Sequence, residues 1–146
     1  MSRALITGMS GAGKSTLLAE LARRGHDTVD TDYDGWTLSD GLWDESRMAA
    51  LLEDRRDLFV SGTVENQELF YEKFEHIILL SAPTEVLIAR VSARTNNPYG
   101  RSVAQQADIR KYVADVEPLL RAAATTALDG ERPVIELADE LERLVT

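Results

Sequence analysis

Short apolar runs alternate with longer amphipathic segments along this chain. Strands are predicted wherever a short apolar run is bounded by polar residues or glycine, at 3–7, 28–30, 57–61, 76–80 and 126–128. Helices are predicted wherever apolar residues recur every three or four positions, at 14–24, 46–54, 67–73, 83–93, 103–123 and 133–144. Pro118 is expected to kink or split the longest of these helices. Strands that alternate with helices indicate an α/β fold, a three-layer, doubly wound, parallel five-stranded sheet with helices on both faces.

The size and composition fit one domain that spans 1–146. The chain is 44% hydrophobic and 28% charged, as in soluble globular proteins. No apolar run approaches the roughly 20 residues of a membrane span, and the first run leads straight into a glycine-rich loop rather than a signal-peptide cleavage site. There is no cysteine, which fits a reducing compartment, so we expect a cytoplasmic protein. We also expect a monomer or weak homodimer without a membrane partner.

The formal net charge of −9 restricts the possible partners. Affinity for duplex nucleic acid comes mostly from lysine and arginine on phosphates, so we expect no nucleic acid partner. A small nucleotide with its Mg²⁺ is compatible with the acidic chain, because a local cradle and the metal neutralise its phosphates.

A phosphate cradle is predicted at the end of the first strand, where the sequence reads GMSGAGKST. Glycines let successive backbone N–H groups turn toward an anion, and the helix that follows adds the positive end of its dipole. Lys14 is expected to reach the β- and γ-phosphates, and the Ser15 hydroxyl to coordinate Mg²⁺. The predicted nucleotide-binding residues of this phosphate loop, 8–15 with the next residue, are Gly8, Ser10, Gly11, Ala12, Gly13, Lys14, Ser15 and Thr16.

An acidic stretch, VDTDYDGW, follows the second predicted strand. Asp30 ends this strand, so it should lie at the same edge of the sheet as the phosphate loop. Alternate residues of an extended segment point the same way, which puts Asp32 on the side of Asp30. One carboxylate can hold the water shell of Mg²⁺, and the other can orient an attacking hydroxyl or accept its proton.

These motifs together resemble the small P-loop kinases of the shikimate kinase-like, gluconate kinase-like and nucleoside monophosphate kinase-like group. The resemblance implies ATP and Mg²⁺ as cofactors, Asp30 as a metal residue beside Ser15, and Asp32 as the catalytic partner of the acceptor hydroxyl. It also implies a lid at about 94–102, whose Arg94 or Arg101 meets the phosphates. By the same analogy the adenine lies near the loop before the last helix, at Arg132 and Pro133.

The resemblance weakens at the acceptor side. Shikimate kinases carry three consecutive glycines after the third strand, whereas VSGTVENQ has only Gly62 there, and their carboxylate-binding arginines have no convincing counterpart. We therefore predict a hydroxyl acceptor other than shikimate. The region between 34 and 57 is acidic, which favours a neutral or cationic acceptor. The usual guanine-selective Asn-Lys-x-Asp stretch is absent, which favours ATP over GTP.

Several side chains are candidates for the acceptor site, each with a plainer alternative. Trp36 and Trp43 flank it, and an aromatic ring there either stacks on a ligand or covers the core. Gly62 at the end of the third strand is also a candidate for the acceptor site. Glu65, Asn66 and Gln67 follow it and could bind polar groups of the acceptor, although Asn66 would equally serve as a helix N-cap.

Two other functions are compatible with the same sequence. A nucleoside monophosphate kinase needs arginines for its anionic acceptor, and Arg47, Arg55 and Arg56 could supply them if they face the cleft. A non-catalytic ATP-binding regulatory module would use the same phosphate loop without an acceptor pocket. His26 and His76 lack the spacing of a metal pair, so we interpret both as structural.

Overall fold

A computed structural model describes residues 2–93 and 102–146. All strand pairings within these ranges are parallel, and the strand order is β2-β3-β1-β4-β5. The predicted three-layer α/β fold is confirmed. The five strands are β1 (Arg3–Thr7), β2 (Thr28–Asp30), β3 (Leu58–Ser61), β4 (His76–Ser81) and β5 (Thr126–Asp129).

The five α-helices begin and end within one residue of the predicted positions. Gly25, with φ of 95°, follows the first helix as expected of a C-terminal stop. The Asp44 side chain accepts a hydrogen bond from the Arg47 N–H and caps the second helix. The α-helices are α1 (Lys14–Arg23), α2 (Glu45–Asp54), α3 (Thr84–Ser92), α4 (Val103–Ala123) and α5 (Val134–Val145).

Two local predictions need correction. The segment predicted as a helix at 67–73 is a 3-10 helix that already begins at Glu65 and ends at Lys73. Its start is fixed by a side chain, because the Gln67 Oε1 accepts the Val64 N–H at 3.0 Å. Pro118 does not split α4, which is continuous over Val103–Ala123.

Of the predicted lid only Ser102 is described, as the N-cap of α4, and the lid arginines Arg94 and Arg101 lie outside the described residues.

The sheet separates two apolar cores. On one face, Ala4 and Ile6 of β1 pack with residues of α1 and α5 that are almost fully buried, among them Leu17, Leu21 and Leu141. On the other face, Leu5 packs with Trp43, Met48 and Val60. Successive β1 side chains thus enter opposite cores, as the period of a strand requires. β1 is thus buried on both faces, and the phosphate loop follows its carboxyl end.

An ion network joins the end of α1 to α5. Arg24 donates to Glu20, Asp139 and Glu142 at 2.8, 2.8 and 2.5 Å. Hydrogen bonds from Arg23 and Arg24 lower the pKa of Glu20 to about 2, and those from His26 and Arg24 lower the pKa of Glu142. His26 is thus part of a structural network, and the described residues contain no group of three metal-ligating side chains.

Candidate active site

The phosphate loop lies at the carboxyl edge of the sheet, between β1 and α1. Gly8, Gly11 and Gly13 have φ of 153°, 88° and 105°, which other residues rarely adopt. Space is also restricted, because a Cβ on Gly8 would lie 2.3 Å from the Leu80 carbonyl oxygen. Gly8 and Gly11 are therefore required by both backbone conformation and close packing, and Gly13 by backbone conformation.

The start of α1 is suited to bind an anion. Gly13 is its N-cap and supplies no capping side chain, so the N-terminal backbone is left for another partner. The Lys14 Nζ donates to the carbonyl oxygens of Gly8 and Met9 at 2.5 and 3.2 Å, which holds the ammonium over the loop. This combination of backbone curvature, helix dipole and ammonium fits the phosphates of a nucleotide.

Ser15 and Asp30 form the predicted pair next to the loop. The Ser15 hydroxyl donates to Asp30 Oδ2 at 2.8 Å, although the two residues come from different elements. The other oxygen, Asp30 Oδ1, accepts the Asp32 backbone N–H at 3.1 Å. A hydroxyl and a carboxylate side by side are oxygen ligands of the kind that Mg²⁺ takes together with waters and phosphates. The residues present therefore fit a nucleotide-bound Mg²⁺.

A cleft of about 370 Å³ extends from the phosphate loop toward α5. It is lined by loop glycines, by Arg132 and by Val134, so Arg132 lies beside the phosphate loop. Pro133 is the N-cap of α5 and does not line the cleft itself.

Arg90 is a residue of this cleft that the sequence reasoning missed. Its guanidinium donates to the carbonyl oxygens of Gly11, Ala12 and Gly130 at 3.0, 3.3 and 3.0 Å. It therefore ties the phosphate loop to the loop before α5. The only signal in the sequence is an arginine within the mostly apolar helix α3, which alone does not reveal such a role.

The acceptor side of the site begins at Asp32, whose side chain is exposed. Trp36 is half-buried, and the Arg47 guanidinium lies 3.9 Å from its ring centroid. Arg47 also donates to the Asp34 carbonyl oxygen at 2.6 Å. One face of Trp36 is thus covered by a protein cation, and Arg47 links this ring to the backbone of Asp34.

Trp43 is a core residue and not an acceptor flank. It is 1% exposed and packs against Phe70 with 6.0 Å between ring centroids. Gly62 lies against it, because a Cβ there would meet Trp43 Cζ2 at 3.2 Å and Thr31 Oγ1 at 2.2 Å. Gly62 therefore allows the end of β3 to pass close to β2 and Trp43, so packing accounts for this glycine without an acceptor.

The predicted amide contacts with an acceptor are not supported by the structure. Asn66 exchanges hydrogen bonds with the Trp43 backbone N–H and carbonyl, both at 3.0 Å, and it is not the N-cap, which is Val64. Gln67 is 2% exposed and donates to Thr7 and Tyr71. Their polar atoms serve the fold, whereas Glu65 remains exposed at the rim.

The arginines proposed for an anionic acceptor do not converge on the site. Arg55 pairs with Asp27 and Asp54, at 3.0 and 3.3 Å, and its carbonyl accepts from Arg3 at the amino end of β1. It thus lies at the opposite edge of the sheet from the phosphate loop. Arg56 is exposed.

Comparison with known proteins agrees with this geometry. A family model described as an AAA domain matches residues 5–111. The chain belongs to this AAA domain family. The match includes the phosphate loop, the Asp30–Asp32 segment and the start of α4. No curated protein sequence matches this chain.

Solved structures show the same fold over almost the whole chain. Shikimate kinase from Acinetobacter baumannii in complex with shikimate is 20% identical, with a TM-score of 0.75, over 99% of this chain and 93% of that one. A gluconokinase from Sinorhizobium meliloti 1021 is 20% identical, with a TM-score of 0.63, over 98% and 93%. Deoxyadenosine kinase from M. mycoides with bound dATP is 14% identical, with a TM-score of 0.64, over 99% of both chains. The predicted resemblance to small P-loop kinases is confirmed at the level of the fold.

No helix in the described part of the chain is long and apolar enough to cross a membrane.

Proposed function

We propose that this protein is an ATP-dependent kinase that transfers the γ-phosphoryl group to a hydroxyl group of a small molecule. The observation that carries the proposal is the Ser15–Asp30 hydrogen bond at the phosphate loop, with Asp32 held next to it through its own N–H. This arrangement puts metal-binding oxygens and a free carboxylate at one edge of the phosphate loop.

Each part has a defined role in phosphoryl transfer. The phosphate loop and Lys14 bind the phosphates, and Ser15 and Asp30 hold Mg²⁺, which neutralises phosphate charge when bound. Asp32 orients the acceptor hydroxyl and accepts its proton as the oxygen bonds to the γ-phosphorus and the bond to the ADP oxygen breaks. Arg94 or Arg101 from the lid is proposed to add positive charge, and Arg132 and Pro133 to flank the base.

The acceptor is proposed to be neutral or cationic. Among the described residues, Arg47 is committed to Asp34 and Trp36, and Arg55 lies at the other edge of the sheet. A nucleoside monophosphate brings its own phosphate and needs cations on the acceptor side, so this alternative loses support. Exposed Asp32 and Glu65 suit hydroxyl or amine groups instead.

The kinases that share the fold support a hydroxyl acceptor by analogy. One of them is a shikimate kinase bound to shikimate and another a gluconokinase. A regulatory module that only binds ATP would leave Asp32 without a role.

The test is a screen of polyols, amino sugars, nucleosides and nucleoside monophosphates for ATP-dependent phosphorylation. It reads ADP release and a mass gain of one phosphate on the acceptor. Lys14→Ala and Asp32→Asn should both lose the activity, and Asp115→Asn, an exposed carboxylate of α4, should keep it. Phosphorylation of monophosphates alone would favour the nucleoside monophosphate kinase. Tight ATP binding without any acceptor would favour the regulatory module.

A further inference from the structure

A chain of buried and partly buried hydrogen bonds links the 3-10 helix to the phosphate loop. The Gln67 Nε2 donates to Thr7 Oγ1 at 3.2 Å, and the Thr7 and Thr63 hydroxyl oxygens are 3.0 Å apart. The Thr63 hydroxyl donates to the Gly8 carbonyl oxygen at 2.7 Å, and its oxygen accepts the Gly8 N–H at 3.1 Å. Thr63 thus contacts both polar groups of the first phosphate-loop residue.

The donors and acceptors in this chain can be assigned without ambiguity. Gln67 Oε1 must accept from the Val64 N–H, so its amide nitrogen must face Thr7. Since that nitrogen only donates, Thr7 accepts from Gln67. The Gly8 carbonyl oxygen can only accept, so the single hydroxyl proton of Thr63 goes to Gly8, and Thr7 must be the donor in the Thr7–Thr63 hydrogen bond.

The Gly8 carbonyl receives a second donor, the Lys14 Nζ at 2.5 Å. A carbonyl oxygen has two lone pairs, so the ammonium and the Thr63 hydroxyl together saturate it. If Lys14 moves to bind the β- and γ-phosphates, as the proposed function requires, Gly8 keeps Thr63 as a partner. Without Thr63, that movement would leave the Gly8 carbonyl with neither of these donors.

We propose that Thr63 is a positioning residue for nucleotide binding, which fixes the Gly8 peptide and makes the release of Lys14 toward the phosphates less costly. The inference rests on the proposed function, because it assumes that Lys14 binds nucleotide phosphates. It adds a residue from the acceptor side of the sheet, four positions before Gln67, to the machinery that binds ATP.

A matched control exists elsewhere in the chain. Thr125 makes the same pair of bonds, accepting the Ile77 N–H at 2.9 Å and donating to the Ile77 carbonyl oxygen at 3.1 Å. Ile77 lies near the amino end of β4, away from the phosphate loop. Thr125→Val therefore removes an equivalent hydroxyl bridge without touching the proposed nucleotide site.

The experiment measures MgATP affinity by calorimetric titration and thermal stability without nucleotide for wild type, Thr63→Val, Thr63→Ser and Thr125→Val. Thr63→Val should weaken MgATP binding about tenfold, and Thr63→Ser, which keeps the hydroxyl, should restore it. Thr125→Val should lower the melting temperature with unchanged affinity.

Each contrary outcome is informative. Wild-type affinity in Thr63→Val, an equal loss in Thr63→Ser, or an equal loss in Thr125→Val would each overturn the role of Thr63 while leaving the kinase intact. Failure of the wild type to bind MgATP would instead overturn the proposed function, and the inference with it.

Discussion

Replacing Arg90 with leucine should weaken both the fold and nucleotide binding. Its guanidinium donates three hydrogen bonds to the backbone of the phosphate loop and of the loop before α5. Hydrogen bonds from a charged donor contribute about 1.5–3 kcal/mol each. The value is at the upper end when the substitution leaves the acceptor without any other hydrogen-bond partner, including water. These carbonyl oxygens border an open cleft, where water can replace the guanidinium. We therefore expect a total loss of about 2 kcal/mol in unfolding free energy, which is below the sum of about 4.5 kcal/mol or more for three such hydrogen bonds.

Arg90→Leu should weaken nucleotide binding more than the replacement of a surface arginine does. Without Arg90 the two loops that flank the cleft lose their bridge, so MgATP affinity should fall about tenfold or more, equivalent to about 1.4 kcal/mol. The control is Arg110→Leu, whose ion pair with Glu85 joins side chains that are 47% and 74% exposed and contributes about 0–1 kcal/mol. Urea unfolding and calorimetric titration measure both quantities. Equal affinities for Arg90→Leu and wild type would refute the bridging role.

Three further predictions concern the loop, the ion network and the core. Gly13→Ala and Gly25→Ala both force alanine into φ near 100°, and neither new Cβ meets a close backbone atom. Each substitution should therefore lower the unfolding free energy by about 1–2 kcal/mol. Only Gly13→Ala should also weaken MgATP binding. The pKa of Glu20 is lowered in the folded state, so its stabilising effect is present above its unfolded value near 4.5 and is lost as the pH falls toward about 2. Glu20→Gln should therefore flatten the fall in melting temperature below pH 4.5, and an unchanged slope would contradict the network. Leu141→Ala in α5 should lower the unfolding free energy by about 3 kcal/mol, because its fully buried side chain packs between α5 and α1, and a loss under 1 kcal/mol would contradict that packing.

The phosphate side of the site could be predicted from the sequence because its chemistry is local. Gly8, Lys14 and Ser15 lie within a few residues of each other, and the spacing alone specifies a turn that opens a helix. Asp30 could be placed beside Ser15 because both follow strands whose carboxyl ends share one edge of a parallel sheet. The strands themselves could be predicted because buried parallel strands are almost uniformly apolar, which makes them short apolar runs in the sequence.

The acceptor side could not be predicted equally well because its contacts are distant in sequence. Trp43 and Asn66 bind each other across 23 positions, and neither residue type reveals whether it faces a ligand or the core. Gln67 was expected at the rim, yet its amide is buried because Thr7, Val64 and Tyr71 satisfy it. Arg90 was missed for the same reason, since its partners are backbone carbonyls of other loops.

The most direct test of the account separates nucleotide binding from phosphoryl transfer in Asp32→Asn. MgATP affinity and the rate of acceptor phosphorylation are measured together for this variant and for the wild type, with the acceptor found in the screen. Because Asp32 is assigned to the acceptor hydroxyl and not to the phosphates, the affinity should stay within about threefold, and the transfer rate should fall by about a hundredfold or more. An Asp32→Asn protein that transfers phosphate at the wild-type rate would contradict the central claim.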